Sequence, residues 1–501
     1  MKTFLVRGVP ASIQQDGWWM DGDINRPTPP PSRDGTDAEP GRMGRPIVLL
    51  ALIALSDVLL WGAAPGVSLA LFGMIVLACG LVLRAGKGWG GLVAGALLFI
   101  PVIEQAQLLS VLFWIMGMLL GGAWIAMGGW QGLYAMACSA GRLLYFGPLQ
   151  AFCDAYLRAM RNQRSATVKD RLTTVGLGWA VPLGLGFIFV SLMVQANPIA
   201  QTWLERAQGV QVPELGRMMF WLGIAILVWP FLKLGALQTW LTPATTPDMI
   251  GPRRVPAILN PAAIRRSLVL FNLIFAAQTG LDLTYLWGGA ALPDGMSHAA
   301  YAHRGAYPLL LTALLAGAFA LVARPFTALD PMMRAALMFW LGQTVLLVIS
   351  SLMRLELYIE AFGLTRLRLA AGIWMMVVAT GLGLTLWQVL RHHSAAWLLK
   401  RCAILGMVTL YAAMFLSFDR TIARYNLTHD VAQDPAYICT LGPAALPEIR
   451  SHAPALCDYY AQMRAPLTDD WREWGFRDWR VLRSLAALNT TPTGEVTWPT
   501  F

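Results

Sequence analysis

The chain has 501 residues, of which 56% are hydrophobic and only 13% are charged, and its mean hydropathy is +0.54. Soluble domains carry about 25% charged residues, so this deficit, together with repeated apolar runs of about 20 residues, excludes an ordinary soluble protein. The formal net charge is +10, but the basic residues stand in short loops between apolar runs. That placement favours orientation in a bilayer, and no nucleic-acid partner is expected. The predicted fold class is an all-α integral membrane protein.

The first predicted element is a flexible cytoplasmic tail over residues 1–45. The segment is polar and rich in proline, with a cluster at Pro29, Pro30 and Pro31. Such a composition cannot bury a core. The segment also lacks the apolar stretch of a cleavable signal peptide, so none is expected.

Residues 46–418 are predicted to form a polytopic transmembrane domain. Each apolar run is close to the length that crosses the hydrocarbon layer as a helix, and only helix satisfies the backbone polar groups there. About eleven transmembrane helices are predicted, at 46–64, 67–85, 90–108, 110–130, 173–195, 217–239, 267–288, 306–325, 333–354, 367–390 and 398–418. The pair 90–108 and 110–130 has almost no loop between its members.

The distribution of Lys and Arg predicts which side each loop occupies. With the N-terminus in the cytoplasm, the inner segments hold 23 of these residues and the outer loops and span edges hold 6. Cytoplasmic loops carry the excess of positive charge, so the N-terminus is predicted inside. An odd number of spans then places the C-terminus outside.

The longest predicted inner loop covers residues 132–171 and ends in an arginine cluster. Its apolar and aromatic residues predict a helix along the inner interface, with Arg158, Arg161 and Arg164 near anionic lipid headgroups. The alternative is a basic loop that only sets the topology.

Residues 419–501 are predicted to form a small extracytoplasmic C-terminal module with α-helical structure. Thr468, Asp469 and Asp470 resemble the first turn of a helix. One face of that helix would then be apolar and pack as core or rest on the membrane interface; it consists of Trp471, Trp474, Val481, Leu482 and Leu485.

The cysteines divide by predicted compartment. Of six in the chain, only Cys439 and Cys457 fall outside, 18 residues apart. Thiols on that side can be oxidised, so a disulfide between them is predicted. Neither C-x-x-C nor a His/Cys metal spacing occurs, so no metal and no cofactor is expected.

Polar residues at membrane depth mark the candidate site, because such residues are costly there and commonly functional. Gln278, Asp282 and Tyr285 share one face of a predicted helix, and Arg354 and Tyr358 lie near the outer end of another. The full candidate pocket, open to the outside, consists of Glu104, Gln278, Asp282, Tyr285, His303, Arg304, Arg354, Tyr358 and Arg368.

Two interpretations of this charge cluster stay open. In the first, Arg304 and Arg354 anchor an anionic or zwitterionic group, such as an anionic small molecule or a lipid headgroup, because arginine suits bidentate binding of carboxylate or phosphate. In the second, Asp282 and Glu104 neutralise the arginines and the network only holds helix ends together. Asp57 lies near mid-membrane, either as a proton-relay carboxylate or as a protonated or Ser-paired packing residue.

Several longer motifs resemble a bacterial membrane family without an assigned activity. They are Asp282-Leu-Thr-Tyr-Leu-Trp-Gly-Gly, Leu292-Pro-Asp-Gly, Tyr301-Ala-His-Arg-Gly-Ala-Tyr307, Ser350-Ser-Leu-Met-Arg354, Gly363-Leu-Thr-Arg-Leu-Arg368 and Ala423-Arg-Tyr-Asn426. The family is the domain of unknown function of the "four-one-seven-three" type, related to the "four-one-five-three" type. The resemblance covers roughly residues 265–450. It implies a multi-pass protein of the bacterial inner membrane, without catalytic residues to carry over.

Three functions remain compatible with these observations. The first is a transporter, channel or receptor-like protein with a polar pocket at the outer face. The second is a membrane-embedded enzyme acting on a lipid-linked substrate, with Asp282, Glu104 or His303 as acid or base. The third is a non-catalytic scaffold or signalling subunit whose C-terminal module is the working surface. The common motifs of soluble enzymes are missing from the sequence, and whether the protein is an enzyme stays open.

Overall fold

A computed structural model describes residues 44–162, 215–241, 260–288, 298–327, 330–432, 434–457 and 470–489. Within these ranges every regular element is helical. The predicted tail over residues 1–45 lies outside them except for its last two residues. The predicted span 173–195 lies outside them entirely.

Sixteen α-helices follow one another along the described ranges. They are α1 Gly44–Leu60, α2 Val67–Leu83, α3 Gly90–Glu104, α4 Leu108–Met127, α5 Leu133–Asn162, α6 Leu215–Leu232, α7 Leu234–Leu241, α8 Pro261–Leu281, α9 His298–Thr327, α10 Pro331–Phe362, α11 Arg366–Arg391, α12 Ala395–Phe415, α13 Phe418–Thr428, α14 Pro435–Cys439, α15 Leu446–His452 and α16 Phe476–Asn489.

Five helices in the described ranges are long and apolar enough to cross a membrane. They are α4, α8 with the turn that follows it, α10, α11 and α12, and each overlaps one predicted span. Shorter apolar helices, namely α2, α3 and parts of α6 and α9, overlap four more predicted spans. The fold is therefore that of a helical protein with several candidate spans, and the number eleven stays a prediction.

The predicted span 217–239 is wrong in one respect, because the chain breaks at Lys233, between α6 and α7. Pro230, inside the last turn of α6, has no N–H to donate and disturbs the helix there. The Lys233 ammonium binds Asp154 of α5 at 2.6 Å, and the Trp229 indole donates to the same carboxylate oxygen at 2.9 Å. The break is thus accompanied by a charged anchor onto α5.

The apolar interior forms two separate cores. The first joins α1–α4 with α5, α6 and α7 around Val76, Leu77 and Phe99. The second joins α8–α11 around Leu337 and Leu341. Helix α12 packs on α11 and also contacts α3 and α4, which connects the two cores in the described part of the chain.

One tyrosine on α12 illustrates this connection. The Tyr411 hydroxyl donates to the Leu97 carbonyl at 2.7 Å, and the Tyr411 ring meets Phe113 edge-on, with 5.5 Å between centroids. A side chain of the C-terminal half therefore satisfies a backbone group of the N-terminal half.

The C-terminal module has its own small core, built on the turn between α10 and α11. Leu364 of that turn packs with Ile422 of α13, Ile438 of α14 and Ile449 of α15. The buried Asn426 side chain accepts the Leu364 N–H at 2.6 Å and donates to the Leu364 carbonyl at 2.9 Å. Two of the motifs quoted above, 363–368 and 423–426, therefore meet in space.

The helix expected to begin after residue 468 starts later than predicted. Asp470 caps a short 3₁₀ turn, Trp471–Glu473, and α16 begins only at Phe476. Val481 and Leu485 are buried against Leu446 of α15, as expected of core residues. Trp471 is 58% exposed and is not part of that core.

Candidate functional site

Helices α8 and α10 run side by side in the same direction, because α9 returns the chain between them. The Gln343 side chain donates to Asn272 at 3.4 Å, across a sequence separation of 71 residues. Arg354 donates to Asp282 across a separation of 72 residues. The nearly constant separation means that residues of α8 and α10 meet level by level, as expected for parallel helices. Asp282 and Arg354 therefore lie at the same depth.

Asp282 and Arg354 form a buried ion pair. Nη2 of Arg354 donates to Oδ1 of Asp282, and the two side chains are only 4% and 2% exposed, respectively. Gln278, one turn earlier on α8, donates from Nε2 to the same carboxylate oxygen at 2.9 Å. Two donors thus converge on one oxygen of a carboxylate that is closed off from solvent.

The other oxygen of this carboxylate is an open acceptor. Oδ2 of Asp282 is buried and has no hydrogen-bond partner among the described residues. Buried polar atoms are nearly always hydrogen-bonded in native proteins, so an exception marks a place where a ligand, a water or a proton is accommodated. The arrangement offers one free carboxylate oxygen beside a neutralised pair of charges.

Asp282 also begins an irregular stretch of helix. The six residues Asp282–Trp287 form a π-helical turn, and Gly288 closes it by donating to the Leu283 carbonyl, five residues back, at 2.8 Å. The Trp287 indole then reaches Ser350 of α10 at 3.2 Å. Single π-helical turns occur frequently at functional sites. The turn brings the carboxylate of Asp282 and the indole of Trp287 into contact with the same helix, α10.

Three further residues of the predicted pocket lie around this end of the two helices. Tyr285 lies half-buried on the π-helical turn. The guanidinium of Arg368 covers the Tyr358 ring at 4.3 Å from its centroid. Arg368 also donates to the carbonyls of Phe362, at 2.8 Å, and Gly363, at the C-terminal end of α10. A cation is favourable at that end of a helix dipole, so Arg368 stabilises the end of α10.

His303 and Arg304 lie on α9, which begins at His298. The side chains of residues 298–310 are outside the described part of the structure. The prediction that these two residues line the pocket therefore stays a prediction.

The structure places Glu104 in a different cluster. Oε1 of Glu104, at the end of α3, accepts from Nε of Arg477 at 3.2 Å and from Nη2 of Arg480. Arg477 also donates to Gln105 at 2.8 Å and to the Met414 carbonyl at the end of α12. These contacts therefore do not support the hypothesis that Glu104 helps to neutralise Arg354. Arginines of α16 neutralise Glu104 instead.

Sequence reasoning missed this role of Arg477 and Arg480. The available signal was the group of arginines in the predicted outer tail, on the same side as the outer end of the third span. The short segment just before α16 contacts the neighbouring turn between α1 and α2, where the Val67 N–H donates to the Trp474 carbonyl at 3.1 Å. The Ala64 N–H donates to Glu473 at 2.8 Å.

Helix α16 contains one carboxyl group, that of Asp478, whose charged form is disfavoured by burial. Burial raises the pKa of Asp478 above its usual range; the nearby Arg477 acts in the opposite direction, and Glu104 reinforces the increase. In contrast, the Arg472 guanidinium lowers the pKa of Asp470 by hydrogen bonding to its carboxylate. As pH falls, the carboxyl of Asp478 therefore binds a proton at a higher pH than usual, and the carboxyl of Asp470 at a lower pH than usual.

The carboxylate of Asp57 is paired with an arginine of α6 and not with a serine, the partner that the sequence had suggested for a packing residue. Its carboxylate accepts from Nε of Arg217 at 2.7 Å and from the Trp221 indole at 2.9 Å. Both partners lie on the first turns of α6. The pair fastens the end of α1 to the beginning of α6.

The predicted disulfide is present. The sulfur atoms of Cys439 and Cys457 are bonded at 1.95 Å. The other four cysteines, Cys79, Cys138, Cys153 and Cys402, are free thiols. The bond closes the segment that carries α15 against α14.

The helices and the buried pair define the class of this molecule: a helical membrane protein with several spans and an ion pair enclosed between two of them. The chain belongs to the family described as Domain of unknown function (DUF4153), whose model matches residues 46–452. This is the type that the resemblance gave as the related family. The match also begins well before residue 265, so the family extends over both apolar cores. No curated protein sequence and no solved structure matches the chain.

Proposed function

We propose that this protein is a transporter or receptor-like membrane protein whose ligand site is a polar pocket centred on Asp282 and Arg354. The observation that carries the proposal is the open acceptor of Asp282, enclosed at the end of two parallel helices and at the start of a π-helical turn. Ionisable residues inside a membrane are costly and are commonly retained for function. The surrounding donors orient one carboxylate oxygen and leave the other for a ligand.

The charge balance of the pair narrows the ligand class. Asp282 neutralises Arg354, so a ligand with a net charge would bring an uncompensated charge into a medium of low dielectric constant. A zwitterion or a neutral molecule with an N–H or O–H donor avoids that cost. Of the anionic and zwitterionic groups that the sequence left open, the charge balance therefore favours a zwitterionic one.

The proposal includes eleven spans, an N-terminus in the cytoplasm, an extracytoplasmic C-terminus and a location in the bacterial inner membrane. Contacts between helix ends support the alternation of sides. At the predicted inner side, Arg84 donates to the Ile125 carbonyl at 2.9 Å and to Gln238 at 2.8 Å. At the predicted outer side, Arg477 links the ends of α3 and α12. A reporter fused after residue 501 tests the orientation, since activity confined to the cytosol would reverse all sides.

A second candidate function is a non-catalytic scaffold or signalling subunit. The contacts of α16 with α3 and α12, and those of residues 473–474 with the turn between α1 and α2, favour this function, because they attach the C-terminal module to both halves of the chain. In that case truncation after Phe418 abolishes the wild-type phenotype, whereas Arg354→Lys leaves that phenotype intact.

The ligand site is tested by thermal unfolding of the detergent-solubilised protein with glycine, inorganic phosphate or methylammonium. We expect the zwitterion glycine, whose ammonium group can donate to Asp282, to raise the melting temperature of the wild type and to lose this effect in Asp282→Asn. Arg366→Lys is the matched control, because Arg366 pairs with Asp419 at the exposed end of α11. Stabilisation by phosphate alone would contradict the zwitterion preference. An identical response of Asp282→Asn and the wild type to all three would contradict the site.

A further inference from the structure

Helix α16 presents an exposed face that combines aromatic rings with arginines. Phe476 and Trp479 are stacked, with ring centroids 5.4 Å apart, and they are 40% and 38% exposed. The guanidinium of Arg480 lies 4.9 Å from the Phe476 ring centroid, and that of Arg483 lies 5.3 Å from the Trp479 ring centroid. Residues three, four and seven apart share one side of a helix, so these four side chains form a continuous surface.

The opposite face of α16 packs against the rest of the protein. Val481 and Leu485 are buried in the small core with Leu446. Arg477 is only 8% exposed and binds Glu104. The orientation of the helix about its own axis is therefore determined. The face that carries Phe476 and Trp479 points away from the rest of the described protein.

Helix α16 is attached at the ends of two apolar helices, α3 and the candidate span α12. The helix is bonded to Glu104, the last residue of α3, and to the Met414 carbonyl near the end of α12. The ends of membrane spans lie at the lipid headgroups, where tryptophan and arginine are favourable because the ring contacts apolar chains and the charge contacts phosphate.

We infer that the Phe476–Trp479–Arg483 face of α16 lies on the phospholipid headgroup layer beside the ends of α3 and α12. The aromatic rings enter the boundary between headgroups and acyl chains, and the Arg483 guanidinium binds a lipid phosphate. Among the described residues no carboxylate pairs with Arg483, whereas Arg480 pairs with Glu104. Arg483 is thus the cation available to the lipid.

A nitroxide scan of the full-length protein in lipid nanodiscs tests this inference. Single labels are placed at residue 487, which lies on the exposed face, and at residue 484 on the flank, with the free cysteines replaced and the disulfide kept. We expect collisions with oxygen to exceed collisions with a water-soluble nickel chelate at residue 487, and the ratio to be lower at residue 484. A ratio at residue 487 that favours nickel would place the face in water and overturn the inference.

Charge variants separate lipid contact from contact with another protein surface. With phosphatidylglycerol in the disc, Arg483→Glu is expected to lower the oxygen-to-nickel ratio of the label at residue 487, since an acidic group is repelled by anionic lipid. Arg450→Glu, at an exposed arginine of α15, is the matched control and is expected to leave the ratio unchanged. A label at residue 487 that is immobile and inaccessible to both reagents would show that protein, and not lipid, covers the face. An unchanged ratio in Arg483→Glu would remove the role of Arg483.

Discussion

The guanidinium of Arg477 lies 3.2 Å from the carboxylate of Glu104, although 373 residues separate the two positions in the chain. Both residues are buried, at 8% and 5% exposure, respectively. A buried pair of this kind stabilises the fold mainly by avoiding the cost of an unpaired charge. It also joins the last described helix to the N-terminal half, so the C-terminal module is an integral part of the structure.

Replacing Arg477 by alanine is expected to loosen α16. The expected loss is about 2–3 kcal/mol, less than the ~3–5 kcal/mol for breaking a buried pair, because Arg480 still contacts Glu104. Amide hydrogen exchange of residues 476–489 in detergent measures the effect. Arg483→Ala, on the exposed face of the same helix, is the control and should leave protection nearly unchanged. Equal protection in wild type and Arg477→Ala would show that the pair does not hold the helix.

Replacing either residue of the Asp282–Arg354 pair alone is expected to lower the free energy of unfolding strongly. Replacing both is expected to lower it only mildly. Asp282→Ala or Arg354→Ala leaves a buried charge without its partner, at a cost of about 3–5 kcal/mol each. The double variant Asp282→Leu/Arg354→Leu should recover most of that loss, because no charge remains. Unfolding in mixed micelles measures all of these variants. A double variant as unstable as the sum of the singles would show that the two residues act independently.

Removing the amide of Asn426 is expected to weaken the attachment of the C-terminal module. Asn426→Ala leaves the buried N–H and carbonyl of Leu364 without their partner, at a cost of about 1–3 kcal/mol each. Thr428→Ala is the matched control, because Thr428 is exposed and bonds only within its own helix and to His429. Exchange of the Leu364 amide should accelerate in Asn426→Ala and stay slow in Thr428→Ala. Slow exchange in both would exclude the role assigned to Asn426.

The pH dependence of α16 docking follows from Asp478. Burial raises the pKa of this carboxyl above its unfolded value, so the folded state binds the proton more tightly than the unfolded state. Its contribution to stability is therefore greatest below the unfolded pKa and is lost as pH rises through the folded pKa. We expect Asp478→Asn to protect α16 more strongly at neutral pH than the wild type and to flatten this part of the pH profile. Weaker protection of α16 in Asp478→Asn than in the wild type at neutral pH would contradict this direction of the pH dependence.

Thiol labelling tests the disulfide and the assignment of sides together. In intact cells an impermeant maleimide should react with Cys439 and Cys457 only after reduction. Cys153 is exposed and free but lies in a predicted inner segment, so it should react only after permeabilisation. Labelling of Cys153 in intact cells would reverse the orientation, whereas labelling of Cys439 without reductant would exclude the bond in the cell.

The described candidate spans were predictable because lipid imposes a simple rule on local sequence. A helix such as Arg366–Arg391 is read directly from a continuous apolar run, since no other structure satisfies the backbone there. The pairing of Cys439 with Cys457 was predictable by the same logic of compartments. The break at Lys233 was missed although Pro230 stands three residues before it in the sequence, and only the tertiary structure shows the contact with Asp154 that accompanies the break.

The amino-acid sequence by itself determined that apolar helices dominate this protein and that Asp282 and Arg354 stand near equivalent ends of their helices, and it predicted one shared compartment for a pair of cysteines. These properties depend on composition and on spacing along one helix. Only the tertiary structure decided the partners of the buried charges: Arg354 for Asp282, Arg217 for Asp57, and Arg477 with Arg480 for Glu104. Partner choice is set by which helix ends come within hydrogen-bonding distance, and chain spacing does not contain that distance.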